Sequence, residues 1–246
     1  MKDRVVLVTG GTRGIGRGIA QRFSELDAHV LVCGRRAPDA AVAGVSFVAA
    51  DLREADDVAR VFEHVSAEYG RLDVLVNNAG GSPPASAATS SPRFSAKIIA
   101  LNLTAPLWCA QGAYRIMSSQ PDGGVILNVA SVSGTRPSPG TAAYGAAKAG
   151  LINLTESLAI EWAPRIRVNA VTPGLVQTEQ SHLHCGGDAG IAAAAATVPL
   201  GRMATPRDVA DACVYLASPA AAYISGANLR VHGGGERPAF LDAVEG

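Results

Sequence analysis

The 246-residue chain carries 21 basic and 21 acidic residues with no long run of either sign, which argues against nucleic acid or an anionic membrane surface as a partner. That length builds one α/β domain with a full core, so a single domain over 1–246 is expected. Its apolar stretches fall short of the ~18–20 residues that span a bilayer, and a strand pattern begins almost at once, leaving no space for a signal peptide.

Cys33, Cys109, Cys185 and Cys213 are scattered without a Cys-x-x-Cys pair and read as reduced thiols of a cytoplasmic protein. Val5-Val6-Leu7-Val8 is a continuous apolar run closed by Thr9-Gly10-Gly11-Thr12-Arg13-Gly14-Ile15-Gly16, after which Ile19, Ala20, Phe23 and Leu26 recur at helical spacing. Strand, glycine-rich turn and helix form the setting of a nucleotide-binding loop. Glycine lets the backbone approach a phosphate, and the helix start supplies amide donors and a partial positive charge. The spacing differs from the common G-x-G-x-x-G.

A second strand over 29–33 ends in Gly34-Arg35-Arg36. An acid about twenty positions past the glycines would hold the ribose hydroxyls of NAD, whereas arginine accommodates a 2′-phosphate. No acid occurs before Asp39, and Arg13 adds a third cation, so NADP(H) is expected over NAD(H). The alternative is that these arginines are merely solvated in an exposed loop. Residues 45–49 read as a third strand leading to Asp51-Leu52, where the Asp51 carboxylate either accepts from an adenine amino group or caps the next helix. The crossover from Gly34 to Gly44 is short and broken by Pro38, with room for a turn or two of helix.

Glu54 to Tyr69 has helical periodicity through Val58, Val61, Phe62 and Val65. Leu72 to Val76 is a fourth strand, and Asn77-Asn78-Ala79-Gly80 after it either lines a cofactor or marks a turn. Gly81 to Pro92 is a Ser/Pro/Ala-rich loop on the substrate side. Phe94 to Ser119 carries helix, with Asn102 polar among Ile98, Ile99, Leu101 and Leu103. A buried asparagine must be satisfied, as a structural tie or as part of a proton relay.

Gly123-Gly124 precede Val125 to Ala130, a fifth apolar strand, and Ser131 sits where it stops. Ligands of open α/β sheets bind beyond the carboxyl ends of the strands. A helix is expected from Ala142, with Tyr144 and Lys148 four residues apart on one face. Tyrosine titrates near ~10; a lysine cation and a helix start close by would favour its phenolate. It could then protonate an alkoxide as hydride reaches a carbonyl, with Ser131 holding the carbonyl oxygen. The plain alternative is an amphipathic helix with a surface Tyr and Lys.

A sixth strand over 165–170 leaves through Thr172-Pro173-Gly174-Leu175-Val176-Gln177-Thr178. Glu179 to Thr197 is irregular and then alanine-rich, and a substrate lid is expected over about 179–205. Its His182, His184 and Cys185 have no evident fourth ligand, so no metal site is expected. Pro206 opens a last long helix to Ala217, and a seventh strand over 227–231 precedes Gly233-Gly234-Gly235 and a polar tail. Alternating strands and helices without repeats imply one doubly wound sheet with helices on both faces.

Thr9-Gly10-x-x-x-Gly14-Ile15-Gly16, Asn77-Asn78-Ala79-Gly80, Asn102 with Ser131, Tyr144-x-x-x-Lys148, and Pro173-Gly174 with Thr178 follow one another in an order that resembles the short-chain dehydrogenase/reductase family. The resemblance covers nearly the whole chain and is to the compact single-domain branch, most of all its 3-oxoacyl reductase type. It implies a Rossmann-like sheet of seven parallel strands and an NADP-dependent enzyme. Hydride would pass between the nicotinamide and a ketone or secondary alcohol of 3-oxoacyl, alicyclic or steroid-like kind.

By the same resemblance Asn102, Ser131, Tyr144 and Lys148 are the catalytic set, with Asn102 anchoring a relay water and Lys148 also binding the nicotinamide ribose. Gly10, Thr12, Arg13, Gly14, Ile15, Gly16, Arg35, Arg36, Asp51, Leu52, Asn78, Ala79, Gly80, Pro173, Gly174, Val176 and Thr178 complete the expected cofactor site. A homotetramer built partly through the Asn102 and Tyr144 helices is implied, a homodimer being the alternative. Two features depart from the family pattern. The short Gly34 to Gly44 crossover alters the adenine side, and the tail over 236–246 is expected at a subunit interface near a neighbour's cleft. A fold of this kind also permits a non-catalytic nucleotide sensor or scaffold.

Overall fold

In the computed structural model, which describes residues 1–236 without the side chains at 183 and 184, and residue 244, the run Val5–Thr9 forms strand β1. It is buried at every position, and a strand covered on both faces has no place for alternating polar residues. Six strands follow: β2 (His29–Gly34), β3 (Val45–Ala49), β4 (Val74–Asn77), β5 (Gly124–Val129), β6 (Ile166–Pro173) and β7 (Asn228–Val231). They form one parallel sheet in the order β3-β2-β1-β4-β5-β6-β7, in register Leu7 to Leu31 and Leu7 to Leu75. Chain order reverses between β1 and β4, so a crevice opens beyond their carboxyl ends.

Helices α1 (Gly14–Ser24), α2 (Ala55–Tyr69), α3 (Pro92–Ile99), α4 (Ala105–Met117), α5 (Ala142–Glu161), α6 (Ser181–Cys185), α7 (Asp188–Ala196) and α8 (Pro206–Ala217) connect the strands. Alternation along β1 divides the core. Val5 and Leu7 join Leu31, Leu75 and Ile126 against α2, α4 and α5, while Val6 and Val8 join Val30, Val32 and Val76 against α1 and α8. A slip of one residue would exchange the two sets.

Local chemistry sets the helix ends. Gly70 closes α2 in a left-handed conformation, and Thr205 and Asp208 form a capping box at α8 with Pro206 in the first turn.

Three expected elements differ. The helix expected over 94–119 is two helices joined by a π-helical turn, Ala100–Thr104. In that wide turn the Asn102 side chain reaches the Ile98 carbonyl and the Gly81 backbone. The crossover between β2 and β3 has no helix, only bends and a turn. The segment after Thr178 is not irregular but holds α6 and α7. The expectation for the tail over 236–246 falls on residues that, apart from 236 and 244, lie outside the described ones.

Asp73 interrupts the apolar pattern at the amino end of β4 and is 3 % exposed. It accepts from Arg4 Nη1 at 2.7 Å, Arg71 Nη2 at 2.6 Å and the Val5 amide at 2.8 Å. Burial by itself raises a carboxyl pKa. Here the bonds from Arg71, the Val5 amide and Arg4 outweigh it and hold Asp73 below its ordinary value. Asp73→Ala is therefore expected to lower stability by about 2–3 kcal/mol in urea unfolding at pH 7. The deficit should narrow as pH falls below the unfolded carboxyl pKa of ~3.9, because a depressed native pKa stabilises only above that range.

Candidate active site

The Thr9 side chain at the end of β1 and the Asn78 side chain just beyond β4 hold the glycine-rich turn. Thr9 Oγ1 accepts from the Asn78 amide at 2.9 Å and the Ala79 amide at 3.0 Å, and Asn78 Nδ2 donates to the carbonyls of Thr9 and Gly10 at 2.9 and 3.2 Å. A Cβ at Gly10 would stand 2.9 Å from Ala79 Cα, and one at Gly16 would stand 2.3 Å from the Gly10 carbonyl oxygen. These two glycines serve the packing of the turn against its own neighbours, not only the approach of a phosphate. The role of Thr9 was not drawn from the sequence, because its partners lie 69 and 70 positions away.

Gly14 differs from them: it begins α1 with φ +54°, and its amide donates to Glu179 Oε1 at 2.8 Å. A carboxylate thus already stands at the helix start where a cofactor phosphate is expected, so the donor suits an anion. Ile15 follows partly buried, Thr12 packs toward Gly34, and Arg13 is exposed.

Arg35 and Arg36 are exposed at the end of β2. Asp51 neither caps α2, whose N-cap is Glu54, nor stands unpaired. Arg53 grips its carboxylate, through Nε at 2.9 Å and through Nη2, and with the charge of Arg35 this holds its pKa below the ordinary value against a smaller effect of burial. Leu52 is buried in the core.

Ser131 ends the fifth-strand segment and accepts from the Ser133 amide at 3.1 Å. Lys148, 3 % exposed, donates from Nζ to the Val129 carbonyl at 2.8 Å and lies 5.7 Å from the centre of the Tyr144 ring. A Cβ at Gly80 would stand 2.6 Å from Asn102 Oδ1 and 3.2 Å from Lys148 Nζ, so glycine is required for this approach. Asn102, fully buried, donates to Gly81 O at 3.0 Å and Ile98 O at 2.9 Å and accepts from the Gly81 amide at 2.9 Å. It is the structural tie that the sequence left open, holding the loop beyond Gly80.

Burial pushes the Tyr144 phenol above its ordinary pKa, with the Ser131 hydroxyl working in the opposite direction. The lowering expected from Lys148 is therefore not what the free protein shows: loss of solvation of the phenolate sets the direction. Burial also brings the Lys148 ammonium down to about 8.

Pro173 ends β6, and Gly174 packs so tightly on His232 that a Cβ there would stand 2.8 Å from the His232 Cβ. Val176 bridges to Ala204, and the Thr178 amide donates to Ser181 Oγ at 2.8 Å. Cys33, Cys109 and Cys213 are buried thiols whose pKa values are pushed up. His182 Nδ1 lies 3.7 Å from Asp188, and among the described residues no group of three metal-ligating side chains comes together.

A glycine-turn helix start and a Ser/Tyr/Lys group with a buried lysine, both at the carboxyl end of the sheet, define a nicotinamide-dependent oxidoreductase of Rossmann type. The family model described as enoyl-(acyl carrier protein) reductase matches residues 10–236. The chain is 38% identical over 248 residues to the 3α-hydroxysteroid dehydrogenase of Mediterraneibacter gnavus, covering 95% of this chain and 97% of that one. It is 36% identical over 243 residues to the 3-oxoacyl-[acyl-carrier-protein] reductase of Vibrio harveyi, covering 95% and 98%. The solved aldohexose dehydrogenase of Thermoplasma acidophilum superposes with a TM-score of 0.90 at 33% identity, over 95% of this chain and 94% of that one. The chain belongs to the short-chain dehydrogenase/reductase family, enzymes that act on keto and hydroxyl groups with a nicotinamide cofactor.

The buried Lys148 leads to a test by pH. Its depressed native pKa means that the unfolded chain binds more protons between about 8 and the ordinary lysine value, so its contribution to stability rises with pH across that window. Lys148→Met removes the titration. Urea unfolding from pH 8 to 10.5 should show wild type gaining on the variant by about 3 kcal/mol at most.

Proposed function

We propose that the chain reduces ketones, or oxidises the matching secondary alcohols, with NADP(H) in preference to NAD(H). The observation that carries this reading is the meeting of the Ser131 hydroxyl, the Tyr144 phenol and the buried Lys148 ammonium at the carboxyl end of β5. Bound nicotinamide supplies or accepts the hydride. Ser131 orients the carbonyl oxygen by a hydrogen bond. Tyr144, a phenol protonated at neutral pH and raised further by burial, donates its phenolic proton to that oxygen as it becomes an alkoxide. Lys148 places a positive charge beside the phenolate left behind, and its Val129 tether fixes where that charge stands. Asn102 positions the Gly80-Gly81 backbone and is assigned to the relay that returns a proton.

The helix start at Gly14, with Ile15 and Gly16, is assigned to the pyrophosphate, and Asn78 to Gly80 and Pro173 to Thr178 to the nicotinamide side. Arg35 and Arg36, with Arg13, favour a 2′-phosphate over a bare ribose. The substrate is a carbon-centred ketone or secondary alcohol of the kind that the names of the relatives describe, steroid, 3-oxoacyl or sugar. One domain over 1–246 in the cytoplasm is consistent with balanced charge and with the absence, among the described residues, of any helix long and apolar enough to cross a membrane. A homotetramer is consistent with α5, which carries apolar residues on all sides and leaves Ile160 81 % exposed.

Tyr144→Phe removes one oxygen and should lower kcat with a ketone panel by about 10²-fold or more while the NADPH Kd stays within about twofold. Retained turnover would refute the assignment. Wild type should favour NADPH over NADH in kcat/KM, and Arg35→Asp should reverse or erase the preference. Parity in wild type would overturn the phosphate-pocket reading. Enoyl thioesters in the same panel separate carbonyl from double-bond reduction.

A further inference from the structure

The start of α1 has neither of the usual devices that satisfy a helix N-terminus. Its N-cap, Arg13, makes no side-chain bond, and no acid lies in the first turn. The anion comes instead from 165 positions away, as Glu179 Oε1 accepts the Gly14 amide at 2.8 Å. Glu179 is the second residue of an excursion that leaves and returns at one point. The Gln177 amide donates to Ala204 O at 2.8 Å and the Ala204 amide to Leu175 O at 2.9 Å, with α6 and α7 between. Thr178 packs beside Gly14, and its amide donates to Ser181 Oγ at the start of α6.

We propose that Glu179 sets the affinity for the dinucleotide by occupying the pyrophosphate's place in the free enzyme, so that cofactor binding must lift it off α1. The inference rests on the assignment of the glycine turn to a dinucleotide. The Gly14 amide cannot hold a carboxylate and a pyrophosphate at once, and two anions at one helix end repel. Molecules with Glu179 seated are not competent to bind, which raises the apparent Kd by the reciprocal of the competent fraction. Because Glu179 adjoins the Thr178–Ser181 bond, its departure releases the entry of the α6–α7 excursion at the moment the cofactor arrives. The exchange makes Glu179 an affinity-setting residue, not a catalytic one.

The test compares wild type with Glu179→Gln and Glu179→Ala by calorimetric titration and thermal unfolding. NADPH should bind the variants about three- to tenfold more tightly, the equivalent of one lost carboxylate–helix contact. Adenosine, which has no phosphate, should bind all three proteins equally. The cofactor-free variants should melt about 2–4 °C below wild type, whereas the NADPH-saturated proteins should melt together. Unchanged or weaker NADPH binding, or an equal loss of Tm with and without NADPH, would assign Glu179 a purely structural role and overturn the proposal. Failure of wild type to bind any dinucleotide would instead overturn the cofactor reading beneath it.

Discussion

An ammonium group withdrawn from water must be paired or must lose its proton, and the carboxyl end of the sheet is arranged around one that does neither fully. Lys148 is bonded to the last carbonyl of β5, and Gly80, where a Cβ would stand 3.2 Å from Nζ and 2.6 Å from Asn102 Oδ1, leaves the space beside it. Asn102 then secures the backbone just beyond Gly80, which requires the π-helical turn between α3 and α4. Four separate elements are thus committed to one charge. Burial lowers Lys148 and raises Tyr144, so at neutral pH both hold their protons. A proton-bearing phenol beside a cation suits donation to a carbonyl oxygen better than abstraction from an alcohol in the free state.

The seven strands are legible in the sequence, most plainly β1, β2 and β4, where burial on both faces leaves short apolar runs; the partly exposed edge strands β3 and β7 carry Ser46 and Arg230 among their apolar residues. Family membership was legible too, through glycine, Asn-Asn-Ala-Gly and Tyr-x-x-x-Lys motifs in order. What the pattern did not convey is contact across distance. Asp73 reads as one polar residue in a strand until Arg4 and Arg71 close on it, and Thr9 reads as the end of β1 until it caps the turn after β4. The break in the helix at Asn102 escaped the reading because a π turn leaves apolar spacing nearly unchanged while moving one side chain toward a backbone outside the helix. The sign of the Tyr144 shift escaped it for another reason: spacing shows a neighbouring lysine but not the depth of burial that competes with it.

The segment over 179–205 has a different physical character from the rest. Helix α7 has no buried residue although it is almost entirely apolar, and α6 is a single short turn beside it. Few buried contacts mean a low free energy of local opening. The paired backbone at Gln177 and Ala204 nevertheless keeps the two ends of the excursion together. In a segment held in this way, small contacts at its entry have leverage over its position.

Both ends of the crevice have their polar groups already answered from within the chain. At one end the α1 amide holds Glu179; at the other the Lys148 ammonium holds Val129 O. A ligand arriving at sites like these exchanges hydrogen bonds and does not simply add them, so the net gain at each polar contact is small compared with its strength in isolation. The two ends are not equivalent in this respect. Val129 is backbone of the central sheet and cannot withdraw, so Lys148 can only share its protons with a newcomer. Glu179 is an exposed side chain at the edge of a loosely packed excursion, and on the proposed exchange it withdraws. On the proposed assignment, the asymmetry places rigidity at the atoms that would transfer a proton and yielding structure at the atoms that would only bind, which is where an enzyme that releases its cofactor after every turnover can accommodate movement.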